Sequence, residues 1–117
     1  MKVRTKVWID DDDDKVIFGS GRARMLEAID RLGSMNKAAK EMKMSYRAVW
    51  GRIKCTEERM GAKVLTTRPG GGKGSGSTLT PTGKRLLEKY RMLKSKIRKR
   101  ADQDFEEIFE DIGTHEE

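Results

Sequence analysis

Two short amphipathic helices joined by a tight connection, predicted within residues 33–61, constrain the fold of this chain more than any other feature. The first helix is predicted over Met35–Met42. Either Ser34 or Asn36 can cap it, because a short side-chain oxygen accepts a hydrogen bond from a free backbone N–H of the first turn. Residues three and four apart share one helix face, so its inward side carries Ala38, Ala39 and Met42.

The second helix follows a connection at Lys43 and Met44, and Ser45 is placed to cap its first turn. Its inward stripe consists of Ala48, Val49, Ile53 and Met60. Its outward residues are Tyr46, Arg47, Trp50, Gly51 and Lys54. Two helices with facing apolar stripes and a short turn between them predict a helix-turn-helix motif.

The outward residues of the second helix indicate what the motif does. Aromatic and basic side chains on the first two turns suit a helix that lies in the major groove of DNA, where N-terminal residues reach base edges and the helix N-terminus attracts phosphate. Arg47 can form the two-pronged hydrogen bond to guanine. The alternative is a helical hairpin with a solvated face and with Trp50 in the core, since such patterns also arise by accident.

The charge distribution favours a nucleic-acid partner. All 26 Lys and Arg lie within residues 1–100 with 11 of the 19 acidic residues, so that section has a net charge of +15, whereas residues 101–117 carry the other eight acids. A basic surface is typical of proteins that bind phosphate backbones with salt-dependent affinity, although a soluble basic protein without such a partner is the alternative. With 117 residues and 35% hydrophobic content, the chain predicts one small core that a partner chain would help to complete.

Before the motif, the sequence predicts a β-hairpin and one further helix. Residues 2–9 alternate as a half-exposed strand does, Asp10–Asp14 form an acidic turn, and Lys15–Phe18 form the returning strand. The turn is predicted to be solvated, although its five carboxylates could also attract a cation. A helix over Arg22–Leu32 follows, with inward Met25, Leu26, Ile29 and Leu32.

After the motif, the sequence predicts a second hairpin with a glycine-rich tip. Val64–Arg68 forms one strand, Thr78–Leu79 its short partner, and PGGGKGSGS lies between them. Glycines allow the backbone to approach DNA phosphates closely, with Arg68 and Lys73 supplying charge, although a plain hairpin tip is the alternative. Neither glycine-rich stretch of the chain has the spacing of a nucleotide-binding loop.

A long helix is predicted from Pro81 to about Ile112, with Thr80 as its cap. Apolar residues recur along it at steps of three or four, and a helix of this length on a small body is usually paired. The predicted dimerisation residues are Leu86, Tyr90, Leu93, Ile97, Phe105 and Ile108. Because its first part is basic and its last part acidic, an antiparallel homodimer is favoured. The alternatives are an acidic tail that frays or one that folds over the basic surface.

Three stretches resemble a known family: FGSGRARMLEAIDRLGSMNKAAKEMKMSYRAVW, RPGGGKGSGS and LTPTGKRLLEKY. Over roughly residues 3–93 the chain is similar to the N-terminal winged helix-turn-helix of LysR-type regulators, and more closely to the DNA-binding domain of molybdate-responsive (ModE) regulators. The resemblance implies that the second helix enters the major groove, the wing touches flanking DNA and the long helix forms the dimer interface. The DNA contacts that it implies are Ser45, Tyr46, Arg47, Trp50, Lys54, Arg68 and Lys73. Cys55 and Thr56 depart from the family, which usually carries more apolar residues there.

Residue types indicate binding rather than catalysis. One cysteine, Cys55, excludes an intrachain disulfide and a cysteine metal site, and the one histidine, His115, lies in the tail. We therefore expect no enzyme activity, no metal or cofactor, no membrane span and a cytoplasmic location. Regulators of the molybdate-responsive type usually have a ligand-binding region after the long helix, and in this chain we expect no such small-molecule effector site.

The sequence thus predicts an α+β, mainly α fold: a winged helix-turn-helix over residues 1–80, with an N-terminal β-hairpin, and a long dimerisation helix with an acidic tail over residues 81–117. The predicted function is sequence-specific regulation of transcription by a homodimer on an inverted repeat, with the helix over residues 45–60 in the major groove and the wing over residues 68–77 on flanking DNA. A low-specificity nucleoid-type DNA-binding protein and a protein-interaction module are the alternatives.

Overall fold

The computed structural model describes residues 1–68 and 76–112. Its elements follow the order β1 Ile9–Asp10, β2 Val16–Phe18, α1 Ser20–Leu32, α2 Met35–Glu41, α3 Tyr46–Met60, β3 Leu65–Arg68, β4 Gly76–Leu79 and α4 Pro81–Ile108. Both sheets are two-stranded and antiparallel, one formed by β1 and β2 and the other by β3 and β4. This content confirms the predicted α+β, mainly helical fold class.

Helix α1 provides the centre of the core. Five of its residues are buried, namely Ala23, Met25, Leu26, Ala28 and Ile29. Phe18 from β2, Val49 from α3 and Val64 before β3 pack into the same cluster, each at most 1% exposed. Full burial of such a side chain contributes about 1.5–3 kcal/mol, so these contacts hold all the neighbouring elements against α1.

The N-terminal hairpin is shorter than its sequence pattern predicts. Only Ile9 and Asp10 pair with β2, and residues 2–8 belong to no strand, which corrects the prediction of a strand over residues 2–9. Helix α1 begins at Ser20 and leaves three residues for the returning strand, so residues before Ile9 have no strand opposite. Alternating burial continues through residues 2–8, which explains why the pattern resembles a strand.

The acidic turn is organised by one of its own carboxylates. Asp11 Oδ1 accepts hydrogen bonds from the backbone N–H of Asp13 at 2.8 Å and of Lys15 at 3.0 Å. The hydrogen bond to the Lys15 N–H lowers the pKa of the Asp11 carboxyl. Asp14 adopts a left-handed conformation with φ 64°, and this conformation closes the turn.

Helix boundaries differ from the predictions by a few residues. Helix α1 begins two residues earlier than predicted, after Gly19, whose carbonyl accepts a hydrogen bond from the Ala23 N–H at 2.9 Å. Ser34, rather than Asn36, caps α2, because its Oγ accepts from the Lys37 N–H at 3.1 Å. Helix α4 ends at Ile108 instead of Ile112.

Tyr90 belongs to the core of its own chain, and this corrects its prediction as a dimerisation residue. It is 2% exposed, and its ring packs edge-on against Phe18 with 5.2 Å between centroids. Its hydroxyl donates to the carbonyl of Val7 at 2.7 Å and lies 3.0 Å from Ser20 Oγ. An inward residue of an amphipathic helix has the same spacing whether it faces its own core or a partner, so only the packing could distinguish the two.

In the parts of the chain that the structure describes, every helix is too short or too polar to cross a membrane.

Candidate nucleic-acid interface

The turn between α2 and α3 is closed by a backbone hydrogen bond. The Met44 N–H donates to the Ala39 carbonyl at 2.9 Å, and Lys43 adopts a left-handed conformation with φ 58°. Ala38 is fully buried, so the helices approach closely, as the small residues predict. Ser45 then caps α3, because its Oγ accepts from the Ala48 N–H at 3.0 Å.

The first turns of α3 present the predicted aromatic and basic residues to solvent. Tyr46 is 49% exposed and Trp50 is 45% exposed, so the alternative that buried Trp50 in the core is wrong. Arg47 is exposed as well, and Lys54 is half-buried. We call this group the reader surface; it consists of Ser45, Tyr46, Arg47, Trp50 and Lys54.

Lys54 is held between two neighbours on its own helix. Its Nζ lies 5.8 Å from the centroid of the Trp50 ring and 3.5 Å from Glu57 Oε1. A cation over an indole face is attracted by the ring electrons, and the carboxylate adds an ion pair. Lys54 is therefore positioned by contacts within α3.

Glu57 connects α3 to the base of the second hairpin, a role that the sequence analysis missed. Its carboxylate is buried, and Oε2 accepts from the backbone N–H of Val64 at 2.9 Å and of Leu65 at 3.2 Å. Oε1 lies 3.8 Å from Lys63 Nζ. The signal was present in the spacing, because Glu57 follows Ile53 by four residues and thus continues the inward stripe of α3.

Thr56 occupies its unusual inward position without an unsatisfied polar atom. It is 2% exposed, and its Oγ1 donates to the Ile17 carbonyl at 2.5 Å and accepts from Arg22 Nη1 at 3.2 Å. Arg22 also donates to the carbonyls of Val16 and Ile17, and burial lowers the pKa of its guanidinium. The N-terminal hairpin and α1 thereby supply the hydrogen-bond partners that allow a polar residue to be buried at this position.

The strands of the second hairpin, β3 and β4, pair in antiparallel register over four residues each. Leu65 pairs with Leu79, and Arg68 pairs with Gly76 at the end nearest the tip. Arg68, predicted to contact phosphate, is exposed, and that contact stays a prediction. The Ser77 N–H donates to the Gly33 carbonyl at 3.0 Å, which fixes β4 to the end of α1. Lys73 lies outside the described residues.

A cleft of about 320 Å³ separates the reader surface from β3. Its lining residues come from α2, α3 and β3. They are Met35, Tyr46, Trp50, Ile53, Lys54, Glu57, Leu65 and Thr67.

The predicted dimerisation residues differ in how far their side chains are exposed to solvent. Leu93 is 41% exposed, Ile97 is 36% exposed and Ile108 is 68% exposed, so these three lie at the surface of α4. Phe105 is half-buried and stacks on Phe109 with 4.8 Å between centroids. Leu86 is half-buried and packs against the core, and Tyr90 lies within the core.

Solved structures with a similar fold include two DNA complexes. The CbnR DNA-binding domain bound to DNA aligns with a TM-score of 0.54 at 21% identity, over 72% of this chain and 91% of that chain. DarR of Vibrio fischeri in complex with DNA aligns with a TM-score of 0.56 at 22% identity, over 78% of this chain and 30% of that chain. These likenesses confirm the predicted winged helix-turn-helix fold.

Curated relatives match the same part of the chain. The molybdenum-pterin-binding protein MopB of Rhodobacter capsulatus is 37% identical over 82 residues, which are 70% of this chain and 30% of MopB. The molybdenum transport protein ModE of Azotobacter vinelandii is 36% identical over 104 residues, which are 88% of this chain and 38% of ModE. The chain thus spans well under half of either relative.

The sequence profile of one family matches residues 21–84, a segment from the start of α1 to the first turn of α4. This segment contains the complete reader surface and both strands of the wing. The family is described as bacterial regulatory helix-turn-helix proteins of the lysR family. Because the match covers more than half of the chain, this chain belongs to the lysR family of bacterial regulatory helix-turn-helix proteins.

Proposed function

We propose that this chain is a sequence-specific DNA-binding regulator of transcription that acts as a homodimer on an inverted repeat. Helix α3 enters the major groove, and the β3–β4 wing contacts flanking DNA. The observation that carries the proposal is the reader surface, where Tyr46 and Trp50 are about half exposed beside Arg47. Family membership and the fold shared with DNA-bound regulators support it.

Each residue of the reader surface has a proposed role in this arrangement. Arg47 donates to the O6 and N7 acceptors of a guanine, the commonest specific contact in the major groove. Ser45 and the N-terminal turn of α3 contact a phosphate, which the positive end of the helix attracts. Lys54 adds positive charge near the backbone. Arg68 and Lys73 on the wing contact phosphates, which position the protein without reading sequence.

Dimerisation is proposed to occur through α4, which projects from the winged body. The exposed stripe of Leu93, Ile97 and Ile108 offers apolar area, and Phe105 borders it. Residues 1–80 form the DNA-binding unit and residues 81–117 the dimerisation unit. Acidic residues cluster in 102–111, after the basic section 84–100, so antiparallel pairing places opposite charges together.

The proposal is confined to DNA binding in the cytoplasm and to a role without catalysis. Two curated relatives are named for molybdenum, but the matched segments are 30% and 38% of those proteins. The resemblance therefore supports a shared DNA-binding region, and we assign no cofactor to the residues described above.

Selection from random duplex DNA at physiological salt tests the proposal. Sequencing of the retained DNA should show an enriched inverted repeat, and an Arg47→Ala protein should lose base preference at one position in each half-site. The exposed Arg52, on the same helix outside the reader surface, provides the control, and Arg52→Ala should select the wild-type repeat. Retention without enrichment would instead favour a nucleoid-type protein. No retention would contradict DNA binding and favour a protein-interaction module.

A further inference from the structure

The chain before β1 presents a row of basic side chains to solvent. We call residues 2–8 the N-terminal segment; they belong to no strand, and their exposure alternates along the chain. Lys2, Arg4 and Lys6 are exposed, whereas the side chains between them are half-buried, so the three positive charges form one basic edge. Among the described residues, every carboxylate lies more than 4 Å from the charged nitrogens of this edge.

The N-terminal segment is anchored beside the first turns of α4. The Tyr90 hydroxyl donates to the Val7 carbonyl at 2.7 Å. A Cβ built on Gly19, the residue before α1, would lie 3.1 Å from Trp8 Cβ. Tyr90 is the last of the buried residues of α4, so the segment lies where that helix leaves the winged body.

The far end of α4 carries a complementary acidic face. Asp104 and Glu107 follow Ile97 by seven and ten residues, spacings that place them near the same side of the helix as Ile97. Asp104 lies 3.3 Å from Arg100 Nε, but this pair is exposed and therefore weak. Fourteen residues separate Asp104 from Tyr90, which is about 21 Å along the helix from the anchor of the N-terminal segment.

We propose that the N-terminal segment forms a second dimer contact, in which Arg4 and Lys6 of one protomer pair with Asp104 and Glu107 of a second copy. The inference rests on the proposed function, since it requires the antiparallel dimer. Charge selects this partner over strand pairing between two N-terminal segments. Antiparallel strands would place the basic edges of both copies against each other, and like charges directly opposite are destabilising.

Antiparallel pairing of α4 brings the two groups to the same level. Ile97 lies midway between Leu86 and Ile108, the first and last of the predicted dimerisation residues. Pairing centred on Ile97 places Asp104 of one helix beside Tyr90 of the other, where the N-terminal segment is anchored. Two-fold symmetry forms the contact twice.

Sedimentation equilibrium of the full chain without DNA tests this contact through charge reversal. Arg4→Glu/Lys6→Glu should raise the dimer dissociation constant at least about tenfold, because each reversal turns an attraction into a repulsion at two symmetry-related places. Addition of Asp104→Lys/Glu107→Lys to the same chain should restore the wild-type value, because the opposite charges then face each other again.

A second charge reversal provides the matched control. Lys37→Glu/Lys40→Glu makes the same change in net charge at two exposed lysines of α2, and it should leave the dimer dissociation constant unchanged. Circular dichroism of every variant should match that of the wild type, because none of the replaced side chains belongs to the core.

The outcomes separate this inference from the proposed function. A wild-type dissociation constant for Arg4→Glu/Lys6→Glu, or no recovery in the variant with all four replacements, would overturn the N-terminal contact and leave the α4 dimer standing. Weaker DNA binding by Arg4→Glu/Lys6→Glu with an unchanged dimer would assign the basic edge to DNA and likewise overturn it. A monomeric wild-type protein would overturn the dimer and this contact together.

Discussion

Gly83 lies where the start of α4 passes close to the backbone of Val64. A Cβ built on it would lie 2.3 Å from the carbonyl oxygen of Val64, a backbone atom that cannot rotate away. The same carbonyl accepts from the Thr80 N–H at 2.9 Å, so the contact fixes the start of α4 to the strand that leads into the wing.

Replacement of Gly83 by alanine should destabilise the protein, although alanine is normally preferred in a helix. The added methyl group must push α4 away from Val64, and overpacking of this kind costs about 1–3 kcal/mol. The midpoint of urea unfolding measures the effect. Gly21→Ala is the control, because a Cβ on Gly21 meets no atom within 4 Å. A stability equal to that of wild type for Gly83→Ala would contradict the close packing described here.

Glu57 joins α3 to the start of β3 through hydrogen bonds, as the Gly83 contact joins α4 to the same segment. Glu57→Ala should lower the free energy of unfolding by about 2–4 kcal/mol, because two buried N–H groups lose their acceptor and a cavity forms. Glu57→Gln keeps an acceptor oxygen and should lose less. Chemical denaturation measures both variants, with the exposed neighbour Glu58→Ala as a control that should stay within about 0.5 kcal/mol of wild type. Equal effects for Glu57→Ala and Glu58→Ala would argue against the connection.

Helix α4 combines a buried start with an exposed remainder. Leu87 and Tyr90 face the core of the chain, at 6% and 2% exposure. Beyond them, the same face continues as the exposed Leu93 and Ile97. One periodic stripe therefore packs against the core in its first turns and is exposed in the later ones, where we propose the dimer contact.

Ile97→Asn should weaken the proposed dimer. A polar side chain in an apolar interface loses about 1.5–3 kcal/mol of burial, and two-fold symmetry repeats the loss in both protomers, so the dimer dissociation constant should rise at least about 100-fold. Sedimentation equilibrium over a range of concentrations measures it. Met92→Asn, at an exposed apolar residue outside the stripe, should keep the dimer. A wild-type protein that sediments as a monomer at micromolar concentration would contradict the dimer itself.

The elements that pack against α3 explain why the polar Thr56 can occupy an inward position on this helix. Thr56 is satisfied by the β2 carbonyl of Ile17 and by Arg22 of α1. Arg59 donates to the Val16 carbonyl from the last turn of the same helix. These contacts hold the far end of α3 against the N-terminal hairpin, whereas its first turns are exposed.

Charge is separated along the length of this elongated protein. The extents are 67 × 30 × 22 Å, and the long dimension reflects the projection of α4, whose 28 residues span about 42 Å. Basic residues dominate the winged body and the first part of α4, and acids dominate its end. Binding to DNA should therefore release counterions and weaken steeply as salt rises.

Arg68→Ala should lower the affinity for all DNA sequences alike and reduce the slope of log K against log salt by about 0.9 per protomer, the value for one lost phosphate contact. Titrations at several salt concentrations measure the slope. Lys15→Ala is the control, because Lys15 lies in the N-terminal hairpin turn, beside the last turn of α3 and away from the reader surface. A slope unchanged by Arg68→Ala would exclude Arg68 from the phosphate contacts.

The local elements of this protein could be predicted from its sequence, because spacing and capping act over a few residues. The spacing of Ala38 and Ala39 from Met42, four and three residues, predicted α2. The hydroxyls of Ser34 and Ser45 lie where the free N–H groups of α2 and α3 need an acceptor. The exposure of Trp50 followed from its position opposite the inward stripe.

Which distant backbone or side chain each residue meets depends on the tertiary packing. Nothing in the spacing of α4 separates Tyr90, which lies in the core, from Leu93, which is exposed, because both continue one stripe. The contact of Gly83 with Val64 and the hydrogen bonds of Glu57 likewise join segments whose approach local propensity does not encode. Sequence determined the faces of the helices, and close packing, in which each buried polar group must find a partner, determined what those faces touch.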